Sequence, residues 1–167
     1  MANTYVKIAS YAATGSVASI DFTSIPATYT DLVLKISGRI SLAQIYGAFW
    51  LNINGLTTNR TYRYLEGNGA AASSGSGTNT NISTGQGNST TASTFSNVEL
   101  YFPNYAGSTN KSFSVDSVGE NNATTVYMDL YAALWSQTAA INQLTLLPES
   151  GNFLIYTTAT LYGILKT

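Results

Sequence analysis

Short runs in which apolar and polar residues alternate, each closed by Gly, Pro, Asn or Asp, recur along this chain from Val6 to Leu165. Successive side chains on a strand point to opposite faces, so alternation with period two marks a strand buried on one side and conflicts with a helical stripe. Val6 and Ile8 alternate with Lys7 and Ala9, and Ala18, Ile20 and Phe22 alternate with Ser19 and Asp21. Leu32, Leu34 and Ile36 form the next inward set. Phe49, Leu51 and Ile53 run up to Asn54-Gly55, a strong hairpin signal across which Thr61 to Glu66 is expected to pair. In the second half, Val98, Leu100 and Phe102 alternate, then Phe113 and Val115, with Val118 out of phase as at a bulge or an early end. Val126, Met128, Leu130 and Ala132 form an aliphatic set, with Tyr127, Asp129 and Tyr131 opposite. Leu144 with Leu146, and Ala159 with Leu161 and Gly163, complete the pattern.

Nine or ten such strands without intervening helices imply an all-β fold, and two packed antiparallel sheets suit strands of this number and length. The expectation is one jelly-roll-like β-sandwich domain spanning residues 1–167. One segment departs from the pattern. Residues 67–94 carry no charge and a single large apolar side chain, Ile82, among Gly, Ser, Thr, Ala and Asn. Read from composition, this is a long loop, either a mobile surface excursion or an arm that orders against a neighbouring copy.

The inventory of reactive groups is thin. With no His and no Cys in 167 residues, the commonest general base, the commonest metal ligands and the thiol nucleophile are missing. Seven basic residues scattered along the chain give little from which to build a phosphate-binding patch, so nucleic acid is discounted as a partner. No apolar run approaches the ~20 residues of a membrane-spanning helix, and residues 1–5 lack the pattern of a secretion signal. Neither a P-loop nor a nucleophile elbow is present, and no cofactor is expected. Charged residues are 9% of the chain, against roughly 25% in ordinary globular domains, so Ser, Thr, Asn and Gly must make most of the surface.

Five acids, Glu66, Glu99, Asp116, Glu120 and Asp129, are the candidates for paired-carboxylate chemistry, with structural acids at strand ends as the plainer reading. The segment from Asp116 to Asn122 is rich in oxygen ligands but lacks the spacing of a calcium loop. Arg60, Arg63 and Glu66 form the densest charge cluster; Arg63 could pair with Glu66, or Arg60 with a carboxylate on another copy. Trp50, Tyr62, Tyr64, Tyr101, Tyr105, Tyr131 and Trp135 often fall opposite the aliphatic set, where amphipathic rings suit a subunit interface or a sugar platform. These seven aromatics, with Arg60, Arg63 and Glu66, are the candidate interface. A non-enzymatic role is expected.

Residues 19–34 (SIDFTSIPATYTDLVL), 62–69 (YRYLEGNG), 102–108 (FPNYAGS) and 158–164 (TATLYGI) together resemble virion structural proteins of tailed bacteriophages. The resemblance runs from about Tyr5 to Leu165 and includes no catalytic motif. It implies a component of the virion's outer surface. With no fibrous repeat or heptads, a capsid decoration (cement) protein fits better than a fibre shaft. By analogy with other capsid-decorating sandwiches, the implied partners are further copies, as a homotrimer, and the major capsid protein. The alternative is a tail or baseplate module that binds a host surface glycan.

Overall fold

A computed structural model describes residues 4–124 and 126–165, and among these every regular element is a strand. The strands are β1 (Tyr5–Ala12), β2 (Ile20–Phe22), β3 (Asp31–Gly38), β4 (Tyr46–Ile53), β5 (Arg60–Gly67) and β6 (Ala72–Gly77), then β7 (Asn81–Gln86), β8 (Ser96–Phe102), β9 (Lys111–Glu120), β10 (Val126–Trp135), β11 (Leu144–Pro148) and β12 (Thr158–Ile164). They form an eight-stranded sheet in the order β1-β12-β3-β8-β9-β10-β5-β6 and a four-stranded sheet in the order β2-β11-β4-β7. All neighbouring strands are antiparallel. The two sheets pack face to face, and the expected antiparallel sandwich is what forms.

The alternation sets the core. Leu32, Leu34 and Ile36 of β3 face Phe49, Leu51 and Ile53 of β4 across the sandwich, joined by Val98, Leu100 and Phe102, by Leu144 and Leu146, and by Ala159 and Leu161. Phe49 meets Phe153 edge to face at 5.5 Å, and Phe102 stacks on Phe113 at 4.8 Å. Tyr105, beyond the end of β8, is fully buried and donates its hydroxyl to the Pro26 carbonyl, pinning the β2–β3 connection.

Four expectations fail, each for a physical reason. Asn54 and Gly55 adopt the left-handed conformations of a tight turn (φ 51° and 73°), but β5 does not return beside β4. The chain crosses to the other sheet, where β5 pairs with β10 and β6. Asn54 instead ties the turn to the β10–β11 connection, accepting from the Asn142 and Gln143 amides and donating to the Ala140 carbonyl. Val118 lies in a continuous register with Met128, with no bulge; it faces outward while Ser117 is buried.

Strand β10 is inverted relative to its expected phase. Asp129, Tyr131, Ala133 and Trp135 are buried, whereas Val126, Met128, Leu130 and Leu134 are exposed. The inner face of β5 and β10 is lined with rings: Tyr131 lies 5.3 Å from both Tyr62 and Tyr64. The rings pack on one another there and fill the interior on this side of the sandwich.

Residues 67–94 are not a structureless loop. They contain β6, which closes one edge of the large sheet, and β7, which closes one edge of the small one. Their small residues have structural causes. Gly75 and Gly77 lie directly over the Tyr64 and Tyr62 rings, where a Cβ would collide. In β7, Ile82, Ser83 and Gln86 are buried. The turn after β7 wraps the Arg39 guanidinium, which donates to the carbonyls of Asn88, Thr90, Thr91 and Thr94 and to the hydroxyls of Thr90 and Thr94. Glu120 closes the turn from outside through the Thr91 amide and hydroxyl and the Thr94 hydroxyl.

Candidate functional site: the outer face of the eight-stranded sheet

Because β10 turns its aliphatic side outward to solvent, the outer face of the large sheet is the unusual surface of this molecule. Strand register arranges it in rows. One row runs Tyr101–Ser114–Ala132–Arg63–Ser76 across β8, β9, β10, β5 and β6. The next runs Lys35–Glu99–Asp116–Leu130–Leu65–Ser74, starting from β3. A third places Asn97, Val118, Met128 and Gly67 side by side. Leu65 is 60% exposed and Leu130 44%. With Val118, Val126, Met128 and Leu134 they make an apolar patch on a face whose other side chains on β8, β9, β10 and β5 are polar or charged, apart from Ala132 and Tyr101 at its side.

The small side chains of Ser114 and Ala132 form the floor of a groove of about 670 Å³ between Tyr101 on one rim and Arg63 with Leu65 on the other. A second depression continues it past Ser112, Leu134 and Pro103. The Tyr101 ring is fixed by its hydroxyl, which donates to Asp31 at 2.7 Å; that bond and burial raise its pKa. Lys35 and Glu99 pair at 2.8 Å, and the bond to Glu99 raises the Lys35 pKa. Asp116 stands directly opposite Glu99 and has no ion-pair partner among the described residues. Arg63 donates only to its neighbour's carbonyl, that of Tyr62.

Of the candidate interface residues, the groove brings together only Arg63 and Tyr101 as exposed side chains. Tyr62, Tyr131 and Trp135 are buried between the sheets, as is Tyr105, so the chain's own core uses these rings. Tyr64 is half-buried against Tyr131. Trp50 sits half-buried on the outer face of the four-stranded sheet beside Leu147, on the opposite side of the molecule. Glu66 does not pair with Arg63; it accepts from Tyr127 and Ser73, each at 2.6 Å. Arg60 is buried, donates to the carbonyls of Leu51 and Asn81, and lies over the Phe113 ring at 5.4 Å. Burial lowers its pKa to about 10.

Composition gave no hint of the interior ionic groups. Arg39, Arg60 and Lys111 are all buried, and backbone carbonyls rather than carboxylates solvate them; Lys111 donates to those of Thr109, Gln137 and Thr138. Asp129 is fully buried, with one oxygen accepting from the Thr84 amide (2.8 Å) and the Ser117 hydroxyl (3.2 Å) and the other unpaired. Its position in phase with Tyr127 and Tyr131 was the one available signal. Among the described residues no three acidic side chains gather as a metal site requires.

Burial raises the Asp129 pKa, opposed by its bonds to Thr84 and Ser117. Between the unfolded and folded pKa values the folded state therefore holds a proton that the unfolded chain has released. The stability this contributes is present below the unfolded carboxylate pKa and is lost as pH rises through the folded one. Replacing Asp129 with Asn is expected to raise Tm at pH 8 by a few degrees and to change it little at pH 4. In a domain of this size ~1 kcal/mol corresponds to about 2–4 °C. Thermal unfolding at the two pH values checks this; an equal shift at both would mean that the charge is not the cause.

Comparison with protein-family models finds no match for this chain, and comparison with curated proteins finds none either.

Proposed function

We propose that this chain is a non-enzymatic structural protein of a tailed-phage virion, a capsid decoration protein whose contact surface is the outer face of the eight-stranded sheet. The observation that carries the contact surface is the exposed apolar patch of Leu65, Val118, Met128, Leu130 and Leu134, set on rigid paired strands in a chain with few charges. Apolar side chains gathered on one face mark a surface meant to be covered. The assignment to a virion rests on the resemblance of residues 19–34, 62–69, 102–108 and 158–164. Copies associate with one another and with the major capsid protein, and repetition over a shell multiplies modest contacts by avidity.

Immunogold labelling of intact virions with an antibody against this chain tests the reading. Gold over the head is expected. Capsids assembled without the protein are expected to form but to lose heat and osmotic resistance; unchanged survival would remove the cementing role.

A second reading draws on the groove itself. Tyr101 offers a fixed aromatic rim, and Arg63, Asp116, Ser112 and Ser114 offer polar groups beside it. This arrangement suits a tail-associated module that binds a host surface glycan. Gold confined to the tail tip, together with saturable polysaccharide binding weakened by Tyr101→Ala, would favour it.

A further inference from the structure

The charges on this face have a pattern that names its partner. On β9, β10 and β5, the part of this face around the apolar patch, Arg63 and Asp116 are the charges without an ion-pair partner among the described residues, while Lys35 already neutralises Glu99. Two carboxylates directly opposite on neighbouring strands repel, and Glu99 and Asp116 are so placed, with Lys35 bonded to only one of them. The isolated chain therefore leaves Asp116 as an exposed carboxylate without an ion-pair partner among the described residues, open to a cation arriving from outside. The Arg63 guanidinium is such a cation, but it lies two strands away and one row along. At ~4.8 Å between strands and ~3.4 Å per residue, the two positions are about 12 Å apart, and Arg63 turns to the Tyr62 carbonyl rather than to Asp116.

The register also fixes what lies between them. Arg63 is opposite Ala132 and Asp116 is opposite Leu130, so the midpoint of the Arg63–Asp116 line falls on β10 between Ala132 and Leu130. A two-fold axis lying in the interface through that point, perpendicular to the line, places each Arg63 over the other copy's Asp116. Leu130 and Ala132 then surround the axis, with Leu65 beside them. An isologous interface needs this combination: one patch complementary to itself, apolar at its centre, with opposite charges related by the axis.

We infer that the outer face of the eight-stranded sheet binds a second copy of this chain about a two-fold axis beside Leu130, with two reciprocal Arg63–Asp116 ion pairs. The inference rests on the reading of this face as an assembly surface. In that arrangement the grooves of the two copies close over each other, and the aliphatic side of β10 is withdrawn from water in both.

Sedimentation equilibrium of the full chain over a concentration series tests it. The wild type is expected to dimerise. Arg63→Asp and Asp116→Arg each break both ion pairs by symmetry, and each is expected to weaken the dimer about tenfold or more. The double reversal Arg63→Asp/Asp116→Arg restores both pairs and is expected to return the dissociation constant to near the wild-type value. Such a rescue also shows that the single variants were folded. Leu130→Glu is expected to yield monomers.

A chain that stays monomeric throughout overturns the inference and leaves the groove to the glycan reading. A trimer, or a dimer indifferent to both reversals, overturns the two-fold pairing and leaves the virion reading standing. Conversely, dimers that respond as expected while virions carry no gold would retire the virion reading and keep the pairing.

Discussion

Replacing Arg39 with Met is expected to destabilise the fold by about 3–5 kcal/mol and to release the turn after β7. The guanidinium is buried and reaches four carbonyls and two hydroxyls of residues 88–94. Its removal leaves those carbonyls facing an apolar thioether, and stranded buried polar groups cost more than the bond itself contributed. The backbone of the same residue is anchored separately, by bonds that the substitution leaves in place. The Arg39 backbone bonds on both sides to the Thr157 hydroxyl, so the same residue ties the entry to β12 to the end of β3. Chemical denaturation measures the stability. Limited proteolysis should show new cleavage within 88–94, and an uncut turn would mean that Arg39 does not hold it. Arg39→Lys is expected to fall between, because an ammonium keeps the charge but cannot fork to six acceptors.

Trp135→Ala is expected to cost about 3–5 kcal/mol, whereas Leu134→Ala should stay within roughly 0.5 kcal/mol. Trp135 is 1% exposed and fills the sandwich between Arg60 and Lys111, its register partners on β5 and β9. Leu134 lies one residue away on the outer face. The same contrast should hold between Tyr131→Ala and Leu130→Ala in the isolated chain. Urea unfolding of the four variants reads the phase of β10 directly; equal costs on both faces would contradict its inversion.

That inversion shows where sequence reading succeeds and where it stops. Strands β3, β4, β8 and β12 were readable because each has one aliphatic face and one polar face, and hydrophobicity alone decides which is buried. β10 offers an aliphatic face and an aromatic face with Asp129 in it. Hydrophobicity puts the aliphatic set inside; mutual packing of the rings and the reach of the tyrosine hydroxyls put the rings there. Tyr127, for instance, donates to Glu66. The outer apolar patch, and with it the candidate site, was hidden behind that one choice of phase.

Residues 67–94 misled for a different reason. Strand propensity is low in a run of Gly, Ser and Thr, but what places β6 and β7 is tertiary: ring faces that exclude a Cβ, and a caged cation in the next turn. Arg63 and Tyr101 were identifiable as candidates from residue type. Their convergence on one groove required the register, because Asn54-Gly55 signals a hairpin that the chain does not make.

The buried cations also change what the molecule presents in close contact. With Arg39, Arg60 and Lys111 withdrawn from solvent, four of the seven basic residues lie outside those positions, and only Asp129 among the eight acids is fully withdrawn. Among the described residues Lys7, Lys35 and Arg63 are the accessible cations, set against seven carboxylates. Contacts at the surface are made with these groups, whereas the far field follows the net charge of the whole chain. A polyanion brought against this surface therefore meets more carboxylates than cations.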